Sequence, residues 1–220
     1  MLDCRAPFEQ LLARMSGNAR HTLKAARKKL AALEGVRFVT ARESVELEAA
    51  FQTFLGLEAA GWKGTGGTAV RFNPGQPAYY SALAASMRGQ ADRWEIDALY
   101  AGDRCLAAAL GIRAGTTMCG LKITYDPAHS RISPGQLLLA LIIERCCADP
   151  DIHRLHFMSA APWAGAWPAE LVPLQVAYLN VSGWRGRCLI ALLKFRLGPC
   201  RRLVRRLQAS LARQGTTQKY

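Results

Sequence analysis

Three short stretches carry residue types that could do chemistry. GWKGTGGTAV, residues 61–70, holds four glycines in ten residues, and Gly64 to Ala69 matches G-x-G-x-x-G/A letter for letter. That pattern cradles a dinucleotide pyrophosphate only between a strand and a helix that opens at the last glycine. Here a helical stretch precedes it, and Val70, Phe72, Asn73 and Pro74 follow, so both flanks exclude the nucleotide fingerprint. Tyr125-Asp126, before Pro127, sets a phenol beside a carboxylate where a strand should end. Ser133-Pro134-Gly135-Gln136 opens an apolar run. Proline suits a first helical position, glycine permits close approach, and the positive end of the helix dipole favours phosphate. An ordinary capped helix start would use the same four residues.

Other catalytic and metal classes find little support. The seven cysteines include no C-x-x-C, and their one close pair is adjacent, Cys146-Cys147. That spacing points to reduced, mostly buried thiols and to neither a disulfide framework nor a zinc site. His21, His129, His153 and His156 are scattered, with no H-E-x-x-H, so no metal centre is expected. His156 lies within a strand of mixed polarity and is expected to be structural.

The elements that must position these residues follow from periodicity. Asn18–Leu33 repeats apolar residues at helical spacing behind Ser16-Gly17, and Gly35 stops it before a strand at 36–39. A second helix spans 43–60 and a third 79–87. Strands at 94–101, 105–113 and 116–124 are joined by Gly102-Asp103-Arg104 and Ala114-Gly115, which makes an antiparallel meander. A helix from Ser133 to about Ala148 leads to strands at 153–158 and 174–181. The class expected is α/β: a mixed, mainly antiparallel sheet with a strand–loop–helix–strand crossover, flanking helices and a basic helical C-terminal tail. The domain limits expected are 1–183, with a basic N-terminal helix at 18–34, and 184–220.

Charge is distributed unevenly. The chain has 220 residues with 29 basic and 16 acidic, net +13. No acidic residue follows Glu170, whereas ten Arg and Lys lie between Arg185 and Lys219. A second cluster comprises Arg20, Lys24, Arg27, Lys28 and Lys29. Both can attract phosphates, nucleic acid or an anionic leaflet, or simply form solvated helix faces. No apolar run is long enough to span a bilayer and no apolar leader is visible at the N-terminus, so a cytoplasmic location is expected.

The order of elements is that of a GNAT (Gcn5-related) N-acyltransferase, and the local wording is more specific. Residues 16–30, 54–70, 121–139 and the basic C-terminal stretch resemble the cellulose-biosynthesis (CelD/BcsL-like) acetyltransferases, a group related to the Fem peptidoglycan aminoacyltransferases. The matching residues are Glu58, Trp62, Lys63, Gly64, Gly67, Thr68, Ala69, Tyr125, Asp126, Ser133, Pro134 and Gly135. Two departures stand out. The chain resembles the C-terminal half alone, and the family's Asp-Phe strand with its following Gly-Asp and Tyr-Lys reads here Leu155-His156-Phe157-Met158, then Ser159 to Ala164.

The resemblance implies acyl transfer from acetyl-CoA or another acyl-CoA to an amine, on a small molecule or on a cell-envelope or polysaccharide precursor. It implies donor binding by Ser133, Pro134, Gly135 and Gln136. Asp126 would take the amine's proton and Tyr125 would return one to the leaving thiolate. Glu58, Trp62 and Lys63 would line the acceptor side, Lys63 holding an acidic group. Trp163 and Trp167 are candidates for sugar stacking or loop anchoring, and Trp163 is carried as an acceptor contact. Alternatives are a non-catalytic GNAT-like assembly module, half of a split enzyme partnered by a separate N-terminal GNAT-like half, and an aminoacyl-tRNA-dependent transferase, although tRNA is not the expected partner.

In the tail, Leu189, Leu192, Leu193, Leu197, Leu203, Val204, Leu207 and Leu211 recur at helical spacing with arginines largely between them. Gly198-Pro199 breaks the stripe. The expected outcome is docking on protein, with salt-sensitive contact to the inner membrane face as an addition. Cosedimentation with anionic vesicles should therefore fall when residues 199–220 are removed, and fall for the full chain as salt rises. Equal pelleting of both forms would exclude a lipid role for that segment.

Overall fold

The computed structural model describes residues 1–87, 93–159, 162–173 and 183–197, and within these the side chains of Ser44, Trp62, Pro162, Trp163, Arg185 and residues 193–197 lie outside the description. The chain forms two compact units, Met1–Val172 and Pro173–Tyr220. The second contributes helix α7 (Gly183–Leu197), as the tail pattern predicts. The strand expected at 174–181, the break at Gly198-Pro199 and the rest of the tail lie outside the described residues. Among the described residues, no helix is long and apolar enough to cross a membrane.

The first unit is a six-stranded sheet in the order β1-β6-β5-β4-β3-β2. Its strands are β1 (Leu2–Asp3), β2 (Val36–Ala41), β3 (Arg93–Ala101), β4 (Arg104–Ala114), β5 (Thr117–Tyr125) and β6 (Arg154–His156). All neighbours are antiparallel except β5 and β6. The two meander turns hold Gly102 and Gly115 at φ +55 and +54, the left-handed region that tight hairpins need and that glycine enters without steric cost. The one parallel pair requires a crossover, and α6 (Pro134–Ala148) supplies it.

Strand β4 explains how helices cover both faces. Its central run Leu106–Leu110 is buried, and three of its five residues are alanine. Ala107 and Ala109 lie in the core under α1 (Phe8–Arg14), α2 (Gly17–Ala31) and α6. Ala108 and Leu110 lie in the core under α3 (Ser44–Ala60) and its neighbours. Small side chains let a helix approach each face. Helix α6 buries Leu137, Leu138, Leu139, Ala140, Ile142, Ile143 and Cys146, and so it is apolar nearly all round, the mark of a helix enclosed by protein.

Several expectations need correction. The third helix, α5, spans Gly75–Ser86 and begins four residues earlier than Tyr79. The strand expected over 153–158 is only Arg154–His156, because Met158 takes φ +52 and turns the chain away. The second helix, α3, ends at Ala60 as expected, but Trp62–Thr65 then forms a further helical turn, α4, that was not expected. Strand β1 and helix α1 have no counterpart in the sequence-based expectation. Among the described cysteines, Cys4 and Cys146 are buried, Cys105, Cys119 and Cys147 are half-buried, and Cys188 is exposed; all six are free thiols.

One polar group interrupts the core beneath α6. Arg145 Nη1 lies 2.9 Å from Glu95 Oε2, and Arg145 Nη2 donates to Asp97 Oδ2 at 3.0 Å. Glu95 also accepts from Arg42 and Arg93, each at 3.0 Å, and Asp97 accepts from Thr40 Oγ1 at 2.6 Å. Burial pushes Glu95 upward, but the guanidiniums of Arg145, Arg93 and Arg42 outweigh it and hold the carboxyl below its ordinary range. For Asp97 burial wins, and its pKa is raised despite Arg145 and Thr40. Removing one member of a buried ion cluster strands the others. Arg145→Ala should lower unfolding stability by about 3–5 kcal/mol, read as a lower urea midpoint at unchanged slope. A change below 1 kcal/mol would mean that the cluster is dispensable.

Candidate functional site

The glycine-rich stretch is a loop built around one buried carboxylate. Glu58, on the last turn of α3, is 1% exposed. Its Oε2 accepts the Val70 N–H at 2.8 Å and its Oε1 accepts Lys63 Nζ at 2.9 Å. The chain thus leaves α3, makes the α4 turn and returns so that Val70 reaches Glu58. Thr68 and Ala69 N–H close the loop on the Lys63 carbonyl at 2.8 and 3.0 Å. Gly64 passes so near α3 that a Cβ there would overlap the Ala59 carbonyl, and Gly67 sits at φ +67. Those two contacts account for glycine at both positions.

The loop forms one wall of a cleft of about 680 Å³. The opposite wall is the start of α6, Ser133, Pro134, Gly135 and Gln136, and the floor is β5 from Leu121 to Tyr125. The cleft therefore brings together Glu58, Lys63, Tyr125 and the whole Ser133–Gln136 segment. A smaller cavity of about 110 Å³ shares Leu121, Lys122, Ile123 and Leu139 with the cleft and runs beneath the sheet toward Asp97, Met118 and Leu155.

The start of α6 has unusual geometry. Ser133 adopts φ 53, ψ 53 and makes no side-chain cap. Pro134 has no N–H, and the Gln136 and Leu137 N–H groups donate to the Ser133 carbonyl at 3.0 and 3.1 Å. Among the described residues no protein acceptor takes the Gly135 N–H. The Tyr125 ring lies over Gly135, where a Cβ would come within 3.4 Å of Cδ1. A helix N-terminus with an unpaired N–H beside the cleft suits an anion.

Two features of the floor escape sequence reasoning. Strands β5 and β6 pair from Thr117↔Arg154 to Cys119↔His156 and then part, because β6 ends while β5 continues to Tyr125. Against β4, the register slips so that Leu110 faces Lys122 and Gly111 faces Gly120, which leaves Leu121 as the bulged residue. Lys122, just beyond the bulge, lines the cleft with its Nζ 3.7 Å from Glu58 Oε1. Its position in an otherwise apolar strand, LKITY, was the available signal.

Asp126 does not line the cleft. Its oxygens accept from Ala128 N–H at 2.9 Å and Arg104 Nε at 2.8 Å and face His129 Nδ1 at 3.1 Å. Burial raises its pKa, but those contacts outweigh it and hold the carboxyl below 3.8. The geometry gives it the role of fastening β5 to the turn that leads to α6. His156 Nδ1 accepts the Met158 N–H at 3.0 Å, consistent with a structural histidine. Trp167 is buried and packs on Phe8 with ring centroids 6.1 Å apart, so it anchors its loop. The side chains of Trp62 and Trp163, two of the expected acceptor contacts, lie outside the described residues. Among the described residues no group of His, Cys, Asp and Glu could hold a metal.

Comparison with known proteins places the chain in a family. The family model described as "Acetyltransferase (GNAT) domain" matches residues 17–164, the span that contains the cleft. A solved structure, "a possible acetyltransferase from Clostridium difficile 630", aligns with TM-score 0.45 and 14% identity over 66% of this chain and 99% of that one. No curated protein matches the sequence.

The depressed pKa of Asp126 makes a stability prediction with a definite sign. Its contribution is full above the unfolded value, near 3.8, and is lost as pH falls through the lower folded value. Asp126→Asn should cost about 1–2 kcal/mol at pH 7 and flatten the acid limb of the unfolding profile below that pH. An unchanged acid limb would show that the carboxylate is not held as described.

Proposed function

The chain belongs to the acetyltransferase (GNAT) domain family, and on that footing we propose that it moves an acyl group from a coenzyme A thioester to an amine within the cleft between the glycine loop and α6. One observation carries the proposal: an anion-suited helix start, a phenol and a cationic wall converge on one cleft of about 680 Å³ floored by a bulged strand. Acyl transfer of this kind asks little covalent work of the protein. The amine nitrogen bonds to the thioester carbonyl carbon, the carbon–sulfur bond breaks, and the thiolate takes up a proton. Positioning and electrostatics supply the rate.

The residues fit those tasks. The field of the α6 N-terminus and the Gly135 N–H suit the donor's phosphates. The parting of β5 and β6 offers a slot for its extended arm. Tyr125, whose ring walls the cleft beside Gly135, is the proton donor to the leaving thiolate. Asp126 acts through its turn, keeping Tyr125 and α6 in register. Glu58 is the carboxylate that lines the cleft among the described residues, and its oxygens are held by Lys63 and Val70, so the amine's proton leaves to solvent. The envelope or polysaccharide-precursor acceptor, and contact with the inner face of a membrane, rest on the sequence resemblance and the basic tail.

Titration calorimetry with acetyl-CoA and CoA tests the donor. Binding is expected for both, and Gly135→Leu should raise Kd at least tenfold, about 1.4 kcal/mol, since the added side chain meets the Tyr125 ring and intrudes on the cleft. No binding at millimolar ligand would remove the donor assignment, and an unaltered Kd in the Gly135 variant would place the phosphates elsewhere.

A further inference from the structure

The side of the cleft away from α6, loop wall and floor together, has an unbalanced charge. Three charged side chains line it among the described residues: Glu58, Lys63 and Lys122. One carboxylate faces two ammonium groups, so that side carries a net positive charge, and both lysine side chains are only about a fifth to a quarter exposed, at 21% and 24%. Screening by water is weaker there than on the open surface.

The two lysines are held differently. Lys63 donates to Glu58 at hydrogen-bond distance, and its backbone carbonyl accepts the Thr68 and Ala69 N–H groups, so both ends of the residue are engaged in the glycine loop. Lys122 stands 3.7 Å from the same oxygen, close enough for an ion pair and too far for a hydrogen bond. Should Lys122 turn toward a ligand, Glu58 keeps Lys63 and the Val70 N–H, and no buried carboxylate is stranded. An anion arriving in the cleft can therefore take Lys122 at little cost to the fold. The lysine stands next to the Leu121 bulge and three residues from Tyr125, a span of about 10 Å along a strand.

We propose that Lys122, supported by the Glu58–Lys63 pair, is a specificity-determining residue that binds an anionic group on the acceptor, so that the preferred amine carries a carboxylate or phosphate. This rests on the acyl-transfer reading. Donor phosphates are assigned to the opposite wall, at the start of α6.

The test is a thermal-shift titration of the CoA-saturated protein with inorganic phosphate and with acetate, against chloride at equal ionic strength, for the wild type, Lys122→Gln and Lys122→Arg. The wild type should be stabilised by phosphate or acetate, Lys122→Gln should lose that response, and Lys122→Arg should retain it, while the Kd for CoA stays within twofold in all three. Matched amines read out by thiol release from acetyl-CoA, glycine against glycinamide and glucosamine 6-phosphate against glucosamine, should favour the anionic member at least tenfold through KM. The preference should collapse in Lys122→Gln. An identical anion response in wild type and Lys122→Gln, or a preference for the neutral amines, overturns the inference while leaving donor binding intact. A tenfold loss of CoA affinity in Lys122→Gln would move the lysine to the donor and overturn it too. Failure of the wild type to bind CoA at all removes the acyl-transfer reading itself and this inference with it.

Discussion

Arg145 is the hinge of the architecture. It lies near the C-terminal end of α6 and packs against the buried carboxylates Glu95 and Asp97 on β3, two strands away from the crossover that α6 completes. An apolar helix packed on an alanine-rich sheet could slide or rotate by a fraction of a turn at small cost. A guanidinium that must meet two carboxylates cannot, because a shift of a few ångströms would strand three charges in the core. The pairing therefore sets the rotation and the axial position of α6. Eleven residues earlier, about 16 Å along the axis, the same helix presents Pro134 to the cleft. The geometry at this wall of the cleft is thus fixed from the far end of the helix. Burying these charges costs free energy that an apolar core would have saved, and what the fold obtains in return is register.

Glu58 plays the corresponding part on the other wall. A helix cannot end, turn and re-enter the core without leaving backbone N–H groups unpaired, and here one carboxylate takes the N–H of Val70 and the ammonium of Lys63 together. The glycines are a consequence of that closure: Gly64 is required by its approach to α3, and Gly67 by its positive φ. Phosphate binding is not what they are for. The same closure brings a lysine to the cleft, so one carboxylate sets both the loop's fold and the charge of the cleft beside it.

What could be read from the sequence divides along the range of the interactions. The meander was legible because Gly102 and Gly115 mark its turns locally, and α6 because a proline–glycine start precedes an apolar run. The residues of both cleft walls, Glu58, Lys63 and Ser133 to Gln136, were legible because each lies in a short pattern. Strand β1 was not legible: two residues have no periodicity, and only pairing with β6, some 150 residues away, makes them a strand. Nor was the bulge at Leu121, which exists only as a mismatch between two strands and has no mark on either one. Asp126 reads the same in sequence whether its oxygens face a cleft or a turn, and the neighbour that decides, Arg104, lies 22 residues upstream. Lys122 was missed for a related reason, since its significance comes from Glu58 on α3, 64 residues earlier in the chain.

Backbone strain marks the same places as the charges. Among the described residues, the non-glycine residues at positive φ are Ser133 and Met158. The first opens α6 at the cleft and the second turns the chain away from β5 at the mouth of the smaller cavity. Such conformations cost on the order of 1 kcal/mol or more and persist where the surroundings over-determine them. Ser133 is held between Asp126's turn and the buried body of α6, and Met158 is held by the bond from its N–H to His156. Relaxing Ser133 would swing Gly135 out from under Tyr125, and relaxing Met158 would let β6 extend along β5 and close the gap between the strands. The strained residues hold open the two spaces that sheet and helix packing alone would fill, and the groups that hold them, Asp126 and His156, need no contact with a substrate to matter for it.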